Sequence, residues 1–121
     1  MNGNSVLIDE NMPPLYREQL LRYLPNLIVR TVGDSGVPPR GTLDPEILVW
    51  CEENGFSLIT KNRRSMPFHL AGHLSTGHHL PEILVLRRQA DVGQVIADLV
   101  LIAEAADDDE YLDRISYVPL A

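Results

Sequence analysis

Two carboxylates in this sequence stand where a divalent cation is expected to bind. Asp9 directly follows the apolar run 6–8, and Asp44 opens a helical pattern much later in the chain. A carboxylate at the end of a buried strand is desolvated unless a cation or a hydrogen-bond donor faces it. Mg²⁺ takes one or two carboxylates and fills its shell with water and substrate phosphate, and Mn²⁺ accepts similar oxygen ligands. Asp9 and Asp44 therefore predict a metal site that polarises a phosphodiester and activates water.

Each carboxylate also has a structural explanation. Asp9 could order the loop that follows its strand. Asp44 is followed by Pro45 and Glu46, and this order fits a helix N-cap, a role worth about 1 kcal/mol. Glu46 then suits the helix dipole. Because a carboxylate has two oxygens, Asp44 can combine capping with a role in the site.

The alternation of strand and helix patterns predicts where these side chains meet. Continuous or alternating apolar runs predict strands over 5–8, 27–32, 56–60, 83–86 and, at an edge, 115–118. Helical spacing predicts helices over 14–23, 44–54, 65–74 and 92–103, the last capped by Asp91. This order predicts an α/β fold with a mostly parallel central sheet, whose ligands bind beyond the carboxyl ends of the strands. The Gly- and Pro-rich loop 33–43 reaches the same edge, and its length suggests a functional loop.

Three segments resemble a known family. The stretches LIDENMP (7–13), LDPEIL (43–48) and LITKNRR (58–64) look like a compact PIN-like family, similar to VapC-type toxins of toxin–antitoxin pairs. The resemblance spans nearly the whole chain, from Val6 to about Val118. It implies a three-layer α/β fold, an acidic magnesium site that cuts RNA, a small antitoxin protein as partner, and a homodimer. Asp9 matches the family's first acid and Asp44 its helix-start acid.

The third segment departs from the family pattern. The family has Thr-x-Asp-x-Asp after the third strand, whereas this chain has Asn62 and Arg64 at the acidic positions. The Asn62 oxygen can still ligate magnesium without adding charge, so the catalytic set becomes Asp9, Asp44 and Asn62. A guanidinium near the site would weaken metal binding.

The arginines of this segment allow two interpretations. Arg63 and Arg64 could bind substrate phosphate through bidentate hydrogen bonds, together with Asn11 near the first acid. Alternatively, they could pair with Asp9 and Asp44 and stabilise an inactive site. The two functions that follow are a magnesium-dependent endoribonuclease, active or degraded, and a non-catalytic binding module on the same scaffold.

Other α/β classes fit less well. A phosphoacceptor receiver would need an aspartate after the third strand, where this chain has Thr60 and Lys61. A haloacid-dehalogenase-type phosphatase would need an aspartate in place of Asn11. A dinucleotide-binding fold would need a glycine-rich turn after the first strand, and residues 9–14 contain no glycine.

The histidines suggest a second metal chemistry. His69 and His73 are four residues apart and would share one helix face, and His78 and His79 follow in a turn. They match only part of a zinc motif, because no glutamate follows His69 and no third ligand is evident. Surface or helix-capping histidines are the favoured interpretation.

Composition limits the remaining choices. The 121 residues suit one domain with a loose terminus at 1–4, and 45% hydrophobic residues can build a core. The net charge of −7 argues against a broad nucleic-acid surface, although bound cations can reverse the sign locally. A single cysteine, Cys51, excludes an internal disulfide and fits a cytoplasmic location. No apolar run is expected to cross a membrane.

Overall fold

The computed structural model describes residues 5–80, 82–105 and 112–120, and within them five strands alternate with four helices. In chain order the elements are β1 (Ser5–Ile8), α1 (Pro14–Tyr23), β2 (Ile28–Thr31), α2 (Asp44–Asn54), β3 (Ser57–Thr60), α3 (Met66–Ser75), β4 (Ile83–Leu86), α4 (Val92–Ala105) and β5 (Ile115–Val118). The predicted elements are confirmed with small shifts at their ends. The predicted loose terminus at 1–4 lies outside the described residues.

The strands form one sheet in the order β2-β1-β3-β4-β5, and every pairing is parallel. The α/β prediction and the predicted edge strand at 115–118 are therefore confirmed. The residues of β1, β3 and β4 are buried throughout, as expected for parallel strands that are covered on both faces.

Helices cover both faces of this sheet and give the fold three layers. On one face, α1 and α4 bury Tyr16, Leu20 and Leu99 against Val6 and Ile8 of β1. The other face packs α2 and α3 against alternate strand residues, and its buried side chains include Leu7, Leu48, Cys51, Leu58 and Met66. Because helices in parallel α/β folds run against the strands, α2 and α3 begin at the carboxyl edge of the sheet and end at the amino edge.

The helix ends confirm two local predictions and correct one. The Asp91 carboxylate accepts a hydrogen bond from the Gln94 N–H at 3.0 Å, as predicted for the cap of α4. Gly55 ends α2 with a φ of 72°, a left-handed conformation that favours glycine. The prediction that Asp44 is an N-cap is wrong. Leu43 holds that position, its carbonyl accepts the first helical hydrogen bonds, and Asp44 is the first helical residue.

Asp44 does not cap α2 because its side chain accepts a hydrogen bond from Asn62, after β3, and none from the N–H groups of its own helix. Within the described part of the chain, no helix has the length and apolarity needed to cross a bilayer.

Candidate functional site

The candidate site lies at the point where the order of strand addition along the parallel sheet reverses. The chain leaves β1 toward β2 and then passes back to β3 on the other side of β1. In doubly wound sheets, ligands bind beyond the carboxyl ends of the strands at such a reversal. Asp9 directly follows β1 and Thr60 ends β3, so these two residues flank this position.

The Asp9 carboxylate is held by two donors. The Thr60 hydroxyl donates to Asp9 Oδ2 at 2.9 Å, and the Glu10 N–H donates to Oδ1 at 2.8 Å. Burial raises the pKa of Asp9 above its usual value, the two hydrogen bonds oppose this rise, and the negative charges of Asp44 and Glu10 add to it. The net rise indicates that the protein alone does not fully compensate the charge of Asp9.

Asp44 joins the same site through Asn62. The Asn62 amide nitrogen donates to Asp44 Oδ2 at 2.7 Å, and the Asn62 backbone N–H donates to the Thr60 hydroxyl oxygen at 3.1 Å. A continuous chain of hydrogen bonds therefore links Asp9, Thr60, Asn62 and Asp44. The structure brings together the three residues predicted as the catalytic set, while their catalytic and metal-binding roles stay predictions.

The Asn62 side chain is oriented by a serine at the start of α3. Its amide oxygen accepts hydrogen bonds from the Ser65 N–H at 3.2 Å and from the Ser65 hydroxyl at 3.1 Å. The Asn62 NH₂ group donates to Asp44 and lies 2.7 Å from the Ser65 hydroxyl oxygen, while the Ser65 N–H turns the amide oxygen away from Asp44. In this arrangement it positions Asp44 rather than offering a ligand oxygen. His69 Nε2 lies 3.7 Å from the same Asp44 oxygen.

Glu10 and Asn11 have different surroundings. Glu10 Oε1 accepts a hydrogen bond from the Gly41 N–H at 2.8 Å, and its other oxygen lies 3.5 Å from Arg40 Nε. Glu10 thus holds the loop 33–43 against the site. Asn11, predicted to bind substrate, is exposed in the turn between β1 and α1 at the same edge of the sheet.

A cleft lined by cationic residues opens beside the carboxylates. Its volume is about 330 Å³, and Lys61, Arg63 and Arg87 line it together with Tyr16. We call it the cationic cleft. Lys61 directly follows Thr60, so the cleft adjoins the Asp9 side of the site. Arg87 Nε donates to the Pro119 carbonyl, which fixes this guanidinium at the rim.

The two arginines of the third segment differ in position. Both are exposed, but Arg63 lines the cationic cleft and Arg64 does not. Among the described residues, neither arginine forms an ion pair with Asp9 or Asp44. The interpretation of an inactive site closed by these ion pairs is therefore wrong.

The histidines divide between the two edges of the sheet. His69 faces Asp44, whereas His73 is buried and its Nε2 lies 3.1 Å from Glu52 Oε1. His78 Nδ1 lies 2.9 Å from the same oxygen. The side chains of Glu52, His73 and His78 could hold a metal ion, because their ligand atoms all lie within 4.8 Å of one another. The favoured interpretation of surface or capping histidines is wrong for His73.

The sequence pattern missed several of these residues. Lys61 and Arg87 follow two adjacent strands, and the strand-end rule could have selected both. Glu52 carried no signal, because it reaches His78 only through tertiary packing. Cys51 is no nucleophile, since burial raises its pKa to about 12.

No family model, curated protein or solved structure matches this chain.

Proposed function

We propose that this chain is a magnesium- or manganese-dependent endoribonuclease of the toxin–antitoxin type, acting in the cytoplasm. The observation that carries the proposal is the hydrogen-bonded chain from Asp9 to Asp44 at the reversal point of the sheet, with the cationic cleft beside it. Two carboxylates next to clustered cations suit a substrate that brings both a phosphodiester and a negatively charged backbone.

The residues present fit a weakly held divalent cation. The pKa of Asp9 is raised by burial and by its acidic neighbours, so a cation would relieve an uncompensated charge. Asp9 and Asp44 supply the one or two carboxylates that magnesium usually takes from a protein. When bound, the ion would polarise the phosphate and lower the pKa of an attacking water.

The remaining residues orient the carboxylates and bind the substrate. Thr60 fixes the Asp9 carboxylate, and Asn62 fixes that of Asp44. The cationic cleft would hold the phosphates on either side of the scissile bond. Because the whole chain carries a net charge of −7, binding would be confined to the cleft. The resemblance to PIN-like toxins supports RNA as the substrate and a small antitoxin protein as the inhibitor.

An apolar groove supports the expected homodimer. It lies between α1 and α4, has a volume of about 670 Å³, and includes the exposed side chains of Leu15, Tyr23 and Leu101. A second copy packed on this groove would cover all three. Light scattering should then give twice 13.6 kDa, and Leu101→Glu should give the monomer. A wild-type particle of 13.6 kDa at high concentration would contradict the dimer.

One observation favours the second candidate, a non-catalytic binding module. The Asn62 amide hydrogen-bonds Asp44 and links it to the start of α3, so it occupies a carboxylate oxygen and adds no negative charge to the acidic centre. A module of this kind would bind RNA through the cationic cleft without cutting it. Binding without hydrolysis at any magnesium or manganese concentration would establish this alternative.

The test is cleavage of a structured RNA by purified protein in millimolar Mg²⁺ or Mn²⁺, with and without a chelator. We expect slow, chelator-sensitive cleavage that Asp44→Asn abolishes. Glu46→Gln is the matched control, because Glu46 lies in the same helical turn but is exposed. Equal activity in these two variants would reject the proposed site.

A further inference from the structure

We propose that Glu52, His73 and His78 form a binding site for a first-row divalent transition metal, with Zn²⁺ as the reference ion. The three side chains come from the last turn of α2, from the end of α3 and from the turn that follows α3. These helix ends lie at the amino edge of the sheet. Asp44 begins the helix that carries Glu52, so about 12 Å of helix separates the two along its axis. The site is thus independent of the proposed nuclease centre.

The donor atoms already have nearly the spacing that a zinc ion requires. Zinc binds nitrogen and carboxylate oxygen at about 2.0–2.2 Å in a tetrahedron, so neighbouring ligand atoms lie about 3.3–3.5 Å apart. Here Glu52 Oε1 lies 3.1 Å from His73 Nε2 and 2.9 Å from His78 Nδ1. A small outward movement of these side chains would admit the ion.

Packing and hydrogen bonds orient these ligands. The His73 and His78 rings stack with centroids 4.9 Å apart, which turns one nitrogen of each ring toward the same carboxylate oxygen. The other Glu52 oxygen accepts a hydrogen bond from the His79 N–H at 3.0 Å, so the carboxylate cannot rotate freely. The His73 Nε2 nitrogen also donates a hydrogen bond to the His79 carbonyl oxygen at 3.0 Å, so metal binding would replace this bond and release the proton. The hydrogen bond from the His79 N–H to Glu52 is the kind of outer contact that orients the ligands of a metal site.

The convergence of these atoms favours a metal over simple ion pairing. Two ring nitrogens from different segments lie within 3.1 Å of one carboxylate oxygen, which is the arrangement of donor atoms that a single cation can bind. A divalent ion satisfies both nitrogens and the oxygen together. Two histidines and one glutamate form a known zinc ligand set, and imidazole nitrogen selects zinc or its neighbours over magnesium. His78 is half-exposed, which leaves access for a water ligand.

The bound ion would have a structural effect. It would connect α2 to α3 and to the turn that leads into β4, and this connection exists only in the folded chain. Ligands that bind only the folded state stabilise it by mass action. We therefore expect Zn²⁺ to raise the melting temperature of chelator-treated wild type, and to raise that of His78→Ala much less.

The experiment titrates chelator-treated full-length protein with Zn²⁺ against a chromophoric competitor, and with Co²⁺ to record visible absorption bands. We expect one saturable site, and we expect His78→Ala to weaken binding by about 100-fold or more, since even outer contacts cost 10- to 100-fold. His79→Ala is the matched control, because alanine keeps the backbone N–H that orients Glu52 and removes only a ring that pairs with Asp113. It should keep the affinity of the wild type.

Glu52→Gln provides a second variant if His78→Ala fails to fold. It keeps the size of the side chain but loses the charge, and it should also weaken binding and reduce the cobalt bands. The absence of saturable binding by the wild type, or equal losses in His78→Ala and His79→Ala, would overturn the proposal.

Discussion

The two ends of α2 offer different chemistry. At its start, Asp44 belongs to an oxygen-rich centre with Asp9, whose neighbours are a hydroxyl, an amide and the cationic cleft. At its end, Glu52 meets two imidazoles. Oxygen donors suit magnesium and nitrogen donors suit zinc, so one helix separates two ion preferences. Opposite edges of the sheet thus carry unlike sets of donor atoms in this small α/β domain.

Among the variants that distinguish the oxygen-rich centre from the proposed zinc site, Asp9→Asn is expected to have the largest effect. Cleavage should fall by about 100-fold or more, because a principal electrostatic contributor is lost. Zinc affinity should not change. Activity assays and calorimetry would measure both, with exposed Glu18→Gln as control. Loss of zinc binding in Asp9→Asn would mean that the two ends are coupled.

A smaller effect is expected from Asn62→Asp, which restores charge at the third segment. Magnesium should bind about tenfold more tightly, equivalent to roughly 1.4 kcal/mol, and cleavage should increase. Adding Arg64→Asp should contribute less, because Arg64 is exposed and solvent screens its charge. Calorimetric titration with magnesium measures this change. Brisk cleavage by the wild type with no gain in the variants would show that the third segment is not a defect.

A matched pair of arginines tests the cationic cleft. Arg63→Gln should weaken RNA binding several-fold and reduce the slope of log affinity against log salt by about 0.7, the value for one phosphate contact on a single strand. Arg64→Gln should change neither quantity, because Arg64 does not line the cleft. Fluorescence anisotropy over a range of salt concentrations would measure both. Identical slopes for the two variants would place the RNA elsewhere.

The smallest effect concerns the loop 33–43 at the carboxyl edge. The Thr31 N–H and the Arg17 guanidinium, each 2.9 Å from Asp34 Oδ2, lower the pKa of Asp34. The stabilisation is therefore present above the unfolded-state pKa and is lost as the pH falls through the folded-state pKa. Because both side chains are about one-third exposed, we expect Asp34→Asn to cost less than about 1 kcal/mol at pH 7.

Urea unfolding of wild type and Asp34→Asn at several pH values measures this contribution. The difference in unfolding free energy should vanish in acid, below the folded-state pKa of Asp34. A difference that grows in acid would contradict the assigned sign.

The site residues at the carboxyl edge could be predicted largely from sequence, because ligands of parallel sheets bind beyond the carboxyl ends of the strands. Buried apolar runs ended at Asp9 and Thr60, and parallel strands bring such ends together. The role of Asp44 was harder to predict, since a residue at a helix start can either cap the helix or contact another segment. Asp44 contacts Asn62 because the Ser65 N–H binds the amide oxygen and thereby directs the amide nitrogen toward Asp44.

The amino edge could not be predicted in the same way. Helix ends there meet through packing of α2 against α3, and no local pattern records which side chains face each other. His69 and His73 share a spacing that suggested a pair, yet they contact acids at opposite ends of α2, Asp44 and Glu52. Periodicity places residues on a helix face but does not identify their partners on another helix.

The Thr60 hydroxyl couples Asp9 to the start of α3. Its oxygen accepts the Asn62 N–H, so its proton is directed toward Asp9. The contact has a fixed polarity and depends on the negative charge of Asp9. Binding or loss of a cation at Asp9 would therefore change the strength of its hydrogen bond with Thr60. Through Asn62, the change would reach the start of α3. The coupling would act equally in both directions, and serine at position 60 would keep both hydrogen bonds whereas valine would remove them.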